Sequence, residues 1–212
     1  MLAEKYRPRC FADVIGQERV IAVLRWHLDR ALTTGPAFLL TGGSGVGKNV
    51  LAECSAQHWG VSAWAIERVE SAECDVARLR VLSDTIPFYG MGSRHGRRLV
   101  LIDEIHTVTG RAADRLLSIL ESLPAHVLVV ATTTETDWCE PTLFSRWIRL
   151  DLQKPKSADV AVLLERVARA EGLPVPDDPG WAAKMIKYCG LNIRDLLNQL
   201  PKRLFDKVAV AA

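Results

Sequence analysis

A chain of 212 residues is long enough for one large domain, or for a medium domain with a small companion. With 49% apolar and 25% charged residues it falls outside the disordered class, and 27 Lys and Arg against 25 Asp and Glu leave a formal charge of +2 that neither demands nor excludes nucleic acid. The apolar runs stop at strand length, and the charged start Met1-Leu2-Ala3-Glu4-Lys5 offers no signal-peptide core, so no membrane partner is expected.

After Gly16, apolar residues at Val20, Leu24, Leu28 and Ala31 recur every three or four positions and predict an amphipathic helix ending at Gly35-Pro36. Residues 37–40 read as a short buried strand, followed by a glycine-rich turn and a helix over 48–58. Residues 62–69 give a further strand and 75–82 a short helix, while 99–102 form an apolar strand that stops at two acids. Leu116, Leu117 and Leu120 mark one face of a helix over 112–120, and the segments 127–131 and 148–152 complete the strands. Continuous apolar strands alternating with helices predict an α/β fold, a five-stranded parallel sheet flanked by helices. From Ser157, read as an N-cap, the pattern turns purely helical over 160–170, 181–189 and 192–205, with Gly172 and Gly190 at helix ends. The expected division is an α/β domain over 1–153 and a three-helix domain over 157–212. Cys10, Cys54, Cys74, Cys139 and Cys189 are odd in number and widely spaced, which excludes a CxxC metal knuckle and predicts a reducing, cytoplasmic setting.

The run Gly42-Gly43-Ser44-Gly45-Val46-Gly47-Lys48-Asn49 fits GxxxxGK between a strand and a helix, the context in which that motif carries weight. Glycines let several N–H groups face one point, the helix adds its positive end, and Lys48 supplies a mobile cation for the β- and γ-phosphates of a nucleotide. The last position departs from the pattern. Ser or Thr there places a hydroxyl on Mg²⁺, whereas Asn49 brings an amide that must orient its oxygen to do the same. Nucleotide binding is expected to survive the change, and metal positioning and turnover are the properties it puts at issue. Asp103 and Glu104 end the strand over 99–102, at the sheet edge where the phosphate loop also lies. Asp103 is the expected holder of Mg²⁺, through water, with Asn49, and Glu104 the residue that polarises an attacking water. His106 completes a DExH string but reads as a structural helix-start residue.

Glu4-Lys5-Tyr6-Arg7-Pro8 and Phe11-Ala12-Asp13-Val14-Ile15-Gly16-Gln17-Glu18 resemble the N-terminal signature of AAA+ clamp-loader ATPase subunits. The likeness continues through the phosphate loop, Asp103-Glu104, Leu120-Glu121-Ser122-Leu123-Pro124, Ala131-Thr132-Thr133, Phe144-Ser145-Arg146-Trp147 and Gly190-Leu191-Asn192-Ile193-Arg194. The resemblance implies that Arg7, Val14 and Ile15 cradle adenine, that Thr133 (or a neighbouring threonine) senses the γ-phosphate, and that Arg194 reaches the same nucleotide from a helical lid. It implies that Arg146 acts on a neighbouring subunit's nucleotide, although Trp147 stands where the family has Cys. Other AAA+ subunits, a sliding clamp and primer-template DNA are the partners it suggests. The zinc module of several bacterial loader subunits and the collar domain of full loaders are missing from this sequence. Arg94, Arg97 and Arg98 read as a solvated basic loop, with Arg78 and Arg111 as weaker candidates for a DNA face. The expected function is ATP–Mg²⁺ binding and hydrolysis driving clamp loading. A nucleotide-holding subunit without turnover and a recombination or transposition helper ATPase are the alternatives.

Overall fold

The computed structural model describes residues 1–30, 33–135 and 141–211. Among them, β1 (Ala37–Thr41), β2 (Ile66–Glu70), β3 (Arg98–Asp103), β4 (Val127–Thr133) and β5 (Ile148–Asp151) form one parallel sheet in the order β2-β3-β4-β1-β5. Every residue of β1 and β4 is buried, which is why these interior strands read as unbroken apolar runs. β2 lies at the edge and is mostly half-exposed. The strand expected over 62–69 therefore starts late, at Ile66, because 63–65 coil into a tight turn that leaves Trp64 in solvent.

The helices are α1 (Leu2–Lys5), α2 (Glu18–Leu28), α3 (Lys48–Trp59), α4 (Val76–Thr85), α5 (Gly110–Glu121), α6 (Pro141–Phe144), α7 (Ser157–Ala170), α8 (Trp181–Cys189) and α9 (Ile193–Ala211). Ala31, which periodicity adds to the helix after Gly16, lies outside the described residues, as does Cys139. On one sheet face Leu39, Val100, Ile102 and Val129 pack against Leu79 and Leu82 of α4 and Leu116 and Ile119 of α5. On the other, Phe38, Leu40, Leu101 and Val130 meet Leu24 of α2 and Leu51 of α3. Each fully buried leucine stabilises the fold by roughly 1.5–3 kcal/mol relative to exposure. Burial pushes the Cys54 and Cys74 thiols up to about 12 and about 11, so both remain protonated and inert at neutral pH.

Helices α7, α8 and α9 share a third core built on Val160, Leu164, Trp181, Ile186, Leu196 and Leu200. Leu2, Ala3 and Tyr6 pack onto it from the other end of the chain, and Glu171 accepts hydrogen bonds from Lys5 Nζ (2.6 Å) and Tyr6 Oη (2.5 Å). Ser157, expected as the cap of α7, is its first helical residue, and Lys156 occupies the cap position. Asn192 caps α9 instead of starting it: its Oδ1 accepts the N–H groups of Arg194 (3.1 Å) and Asp195 (3.4 Å). The helix continues past residue 205 and through Pro201, which lacks the N–H needed to bond the preceding turn. Leu196, Leu197, Leu200 and Leu204, all at most 2% exposed, hold it together on both sides of the proline. No described helix is long and apolar enough to cross a membrane.

The carboxyl ends of β1 and β5 are tied by a Thr41 hydroxyl that donates to Asp151, with Arg149 Nε 2.8 Å from the same oxygen. The Thr41 hydrogen bond first, and Arg149 after it, hold the Asp151 carboxyl below its usual value. A depressed carboxyl contributes stability that is present above the unfolded pKa and disappears as pH falls through the folded one. Thr41→Val is expected to lower stability at neutral pH, with the gap to wild type closing below pH ~4; urea titrations across that range measure it.

Candidate functional site

The site starts where β1 gives way to a turn that no ordinary side chain could follow. Gly45 has φ +77°, and a Cβ there would come within 2.9 Å of the Asn192 side chain. Gly47, at φ +100°, caps α3, so the unpaired N–H groups of that helix's first turn face the loop. Lys48 is only 7% exposed, and its ammonium donates to the carbonyls of Gly42 (2.9 Å) and Gly43 (3.3 Å), 3.7 Å from Glu104 Oε1. A buried cation resting on carbonyls of its own loop is available to an anion that offers it more charge.

Parallel register brings the acids to this point. Thr41 pairs with Thr133 across β1 and β4, and Ile102 with Ala131 across β3 and β4, so the three strands end close together at the same edge. Thr132 Oγ1 donates to Asp103 Oδ1 at 2.5 Å and accepts the Glu104 N–H at 3.1 Å. Glu104 sits in the left-handed region at φ 49°, which costs a non-glycine residue about 1–3 kcal/mol. Its Oε2 accepts from the Thr134 N–H (3.0 Å) and hydroxyl (3.1 Å), and His106 Nδ1 lies 3.3 Å away. Thr133 is buried and turned aside: its hydroxyl donates to the Glu135 carbonyl, accepts the Glu135 N–H, and stands 3.5 Å from His106. Thr132 and Thr134 enter the sequence reading only as register alternatives to Thr133. The period-two alternation of a strand was the signal that separates them from Thr133.

Asn49, expected to present an oxygen to Mg²⁺, makes a different contact. Its Nδ2 donates to Asp103 Oδ2 at 2.8 Å. With Asp103 ionised only the amide's NH₂ end can face it, because two oxygens at that distance repel. Both carboxylate oxygens of Asp103 thus accept from protein donors, and a hydrogen bond to a charged group is worth about 1.5–3 kcal/mol. The Asn49 amide oxygen and the remaining lone pairs of Asp103 are the oxygen sites this pair keeps for a magnesium ion. Among the described residues no group of three or more His, Cys, Asp or Glu is placed to hold a metal ion.

A cleft of about 760 Å³ opens between the sheet edge, the N-terminal segment and helices α7 and α9. The structure brings Arg7, Val14, Ile15, Ser44, Gly45, Val46, Gly47, Lys48, Asn49, Asp103, Glu104 and Arg194 to its walls. Arg7 also holds Glu53 at 2.7 Å. Arg166 and Asn192 line the cleft as well. Arg166 belongs to no motif, and Asn192 lay inside a matched string without a role of its own. Gly43 meets Lys48 through its carbonyl. Arg146 is remote from the cleft: half-exposed, it donates to Glu121 Oε1 from Nε (3.2 Å) and Nη2 (2.7 Å) at the end of α5. Beside it Trp147 points inward, 7% exposed among the residues beneath the sheet.

Of the basic cluster, Arg94 is exposed, in line with a solvated loop, whereas Arg97 and Arg98 are engaged by the fold. Arg97 donates to the Trp59 carbonyl at 2.5 Å and stacks on its ring at 4.6 Å, while Arg98 bonds the Thr85 carbonyl and Glu67, both at 2.6 Å. Arg78 pairs with the same Glu67 at 2.7 Å. Arg111 is exposed near the start of α5.

Residues 38–154 match the family described as ATPase family associated with various cellular activities (AAA). The DNA polymerase III subunit gamma of Buchnera aphidicola is 28% identical over 226 residues, covering 94% of this chain and 60% of that protein. The DNA polymerase III subunit gamma/tau of Mycobacterium tuberculosis is 32% identical over 227 residues, covering 96% of this chain and 38% of that protein. This chain therefore spans less than two thirds of these relatives. In fold it is similar to the RuvB Holliday junction branch migration motor of Thermotoga maritima, with a TM-score of 0.76 and 23% identity over 97% of this chain and 67% of that one.

Thr132 satisfies two groups at once from a fully buried position. Thr132→Val is expected to lower stability by about 1–3 kcal/mol, because a half-buried carboxylate oxygen and an N–H lose their partner. Thr134→Val, at an exposed position, is expected to stay within about 1 kcal/mol. Denaturant unfolding of both variants checks the contrast.

Proposed function

Because this chain belongs to the AAA family of ATPases, we propose that its cleft binds ATP and that the module works beside other AAA+ subunits in loading a sliding clamp onto primer-template DNA. The observation that carries this reading is the meeting, in one cleft, of the α3 N-terminus, Lys48, the acid pair at the end of β3 and the start of α9. The triphosphate lies along Ser44-Gly45-Val46-Gly47 with its oxygens on backbone N–H groups, and Lys48 leaves the Gly42 and Gly43 carbonyls for the phosphates. Val14 and Ile15 meet the adenine, with Arg7 at the rim. Glu104 accepts the proton of the attacking water, oriented by Thr134, and Thr133 reads the γ-phosphate once its hydroxyl has left Glu135. Arg194 closes from α9. The likeness to gamma subunits of DNA polymerase III supports the clamp-loading part of the proposal.

Arg146 completes a neighbour's site in this reading. Its distance from its own cleft and its exposed pairing with Glu121 suit a side chain that leaves one carboxylate for the charge developing on another subunit's γ-phosphate. Ordinary members of the family use Mg²⁺ with the nucleotide, and here an amide tied by its N–H to Asp103 stands where they carry a hydroxyl. That replacement supports a second reading, in which the chain holds nucleotide in the assembly without turning it over.

Lys48→Ala is expected to abolish ATP binding in calorimetry, and unchanged affinity would remove the phosphate-loop assignment. Glu104→Gln is expected to keep ATP while losing at least ~10²-fold of any turnover measured in the presence of DNA and partner subunits. Wild-type rates in that variant would contradict the role given to Glu104.

A further inference from the structure

We propose that His106 is a positioning residue that fixes the Glu104 carboxylate for the attacking water, an inference that rests on the cleft being an ATPase site. His106 lies in the tight turn Ile105–Thr107 that follows β3, and its side chain is only 23% exposed. Its Nδ1 stands 3.3 Å from Glu104 Oε2 and 3.5 Å from Thr133 Oγ1. The Thr133 hydroxyl directs its hydrogen at the Glu135 carbonyl, so Nδ1 faces oxygen lone pairs from both residues. A bare ring nitrogen would be repelled by both. The hydrogen therefore sits on Nδ1, whatever the charge of the ring, and Glu104 Oε2 accepts it. At the far end of the ring, Nε2 looks toward Glu135 Oε1 from 3.8 Å, beyond hydrogen-bond length.

That bond completes the set on one carboxylate oxygen. Oε2 already accepts the Thr134 N–H at 3.0 Å and hydroxyl at 3.1 Å, and His106 adds its own donor to them. Oε1 faces the Lys48 ammonium at 3.7 Å, the cation that phosphates draw away in the proposed reaction. The carboxylate is thus held by one oxygen and offered by the other. Thr134 is exposed, so its donors compete with water, whereas the imidazole is shielded. Without the imidazole, Glu104 keeps its reach and loses the contact that fixes its rotation. Misplacing a reacting group by about 1 Å can cost about 10²-fold in rate.

The test crosses two substitutions. His106→Asn keeps a donor where Nδ1 stands and gives up the ring, and His106→Phe keeps the ring's bulk and gives up the donor. Turnover of Mg²⁺–ATP is measured with primer-template DNA, and ATP affinity by calorimetry. His106→Phe is expected to lose at least about tenfold in kcat with ATP affinity within about threefold of wild type, and His106→Asn to recover kcat to within about threefold. An active His106→Phe, alone or together with His106→Asn, would overturn the proposal while leaving the nucleotide site standing. ATP binding by wild type without turnover would overturn it too, and no binding at all would remove the site first. If both variants lose activity, or fail to fold by circular dichroism, NMR of the wild-type imidazole nitrogens decides. A hydrogen on Nδ1 of His106 supports the proposal, and a hydrogen on Nε2 alone overturns it.

Discussion

The shared edge at which three parallel strands end is the constraint from which the rest of the molecule takes its meaning. Because β1 pairs with β4 up to Thr41 and Thr133, and β3 pairs with β4 up to Ile102 and Ala131, the phosphate loop, the acids and the threonines leave the sheet close together at the same edge. Slipping β3 by one residue would turn Asp103 toward the apolar layer of Leu79, Leu82 and Leu116 and send Val100 and Ile102 to the opposite face. The two apolar layers enforce that register, since each strand commits alternate residues to opposite cores. Function at the edge is thus fixed by packing in the middle.

The terminal helices join the site through small, specific contacts. Asn192 caps α9 and lies against Gly45, so the helix start and the phosphate loop are placed by the same side chain. Residues 1–6 return to this bundle through Glu171 and through the Ala3 N–H, which donates to Asn198 at 3.3 Å. The strand end that carries Glu104 is held in a conformation few residues adopt, and Thr132 and Thr134 hold it there. Backbone strain of this kind persists only where neighbours over-determine it. Here they are the residues beside which the chemistry is proposed to occur.

Much of this was legible in the sequence, for identifiable reasons. Interior strands announce themselves because both faces are covered, as 99–102 and 127–131 do, and a phosphate loop is a local pattern whose geometry follows from its glycines. β2 was blurred because an edge strand mixes polar and apolar positions. The helical pattern over 192–205 already runs through Pro201, and packing on both sides of the proline is what overrules its local preference, whereas the continuation to Ala211 carries no such pattern. The roles of Asn49, Thr132 and Thr134 were out of reach for another reason. Each depends on which atom of a distant residue lies opposite, and spacing along one chain carries no such information. Arg97 and Arg98 were misjudged in the same way, since Trp59 and Glu67, which engage them, lie far away in sequence.

A crystal structure of the chain soaked with a non-hydrolysable ATP analogue tests the account most directly. The account predicts terminal phosphates against the first turn of α3, with Lys48 Nζ moved from the Gly42 and Gly43 carbonyls onto a phosphate oxygen and Glu104 facing them. Analogue bound elsewhere, or a Lys48 that keeps its carbonyls beside an occupied cleft, would contradict it.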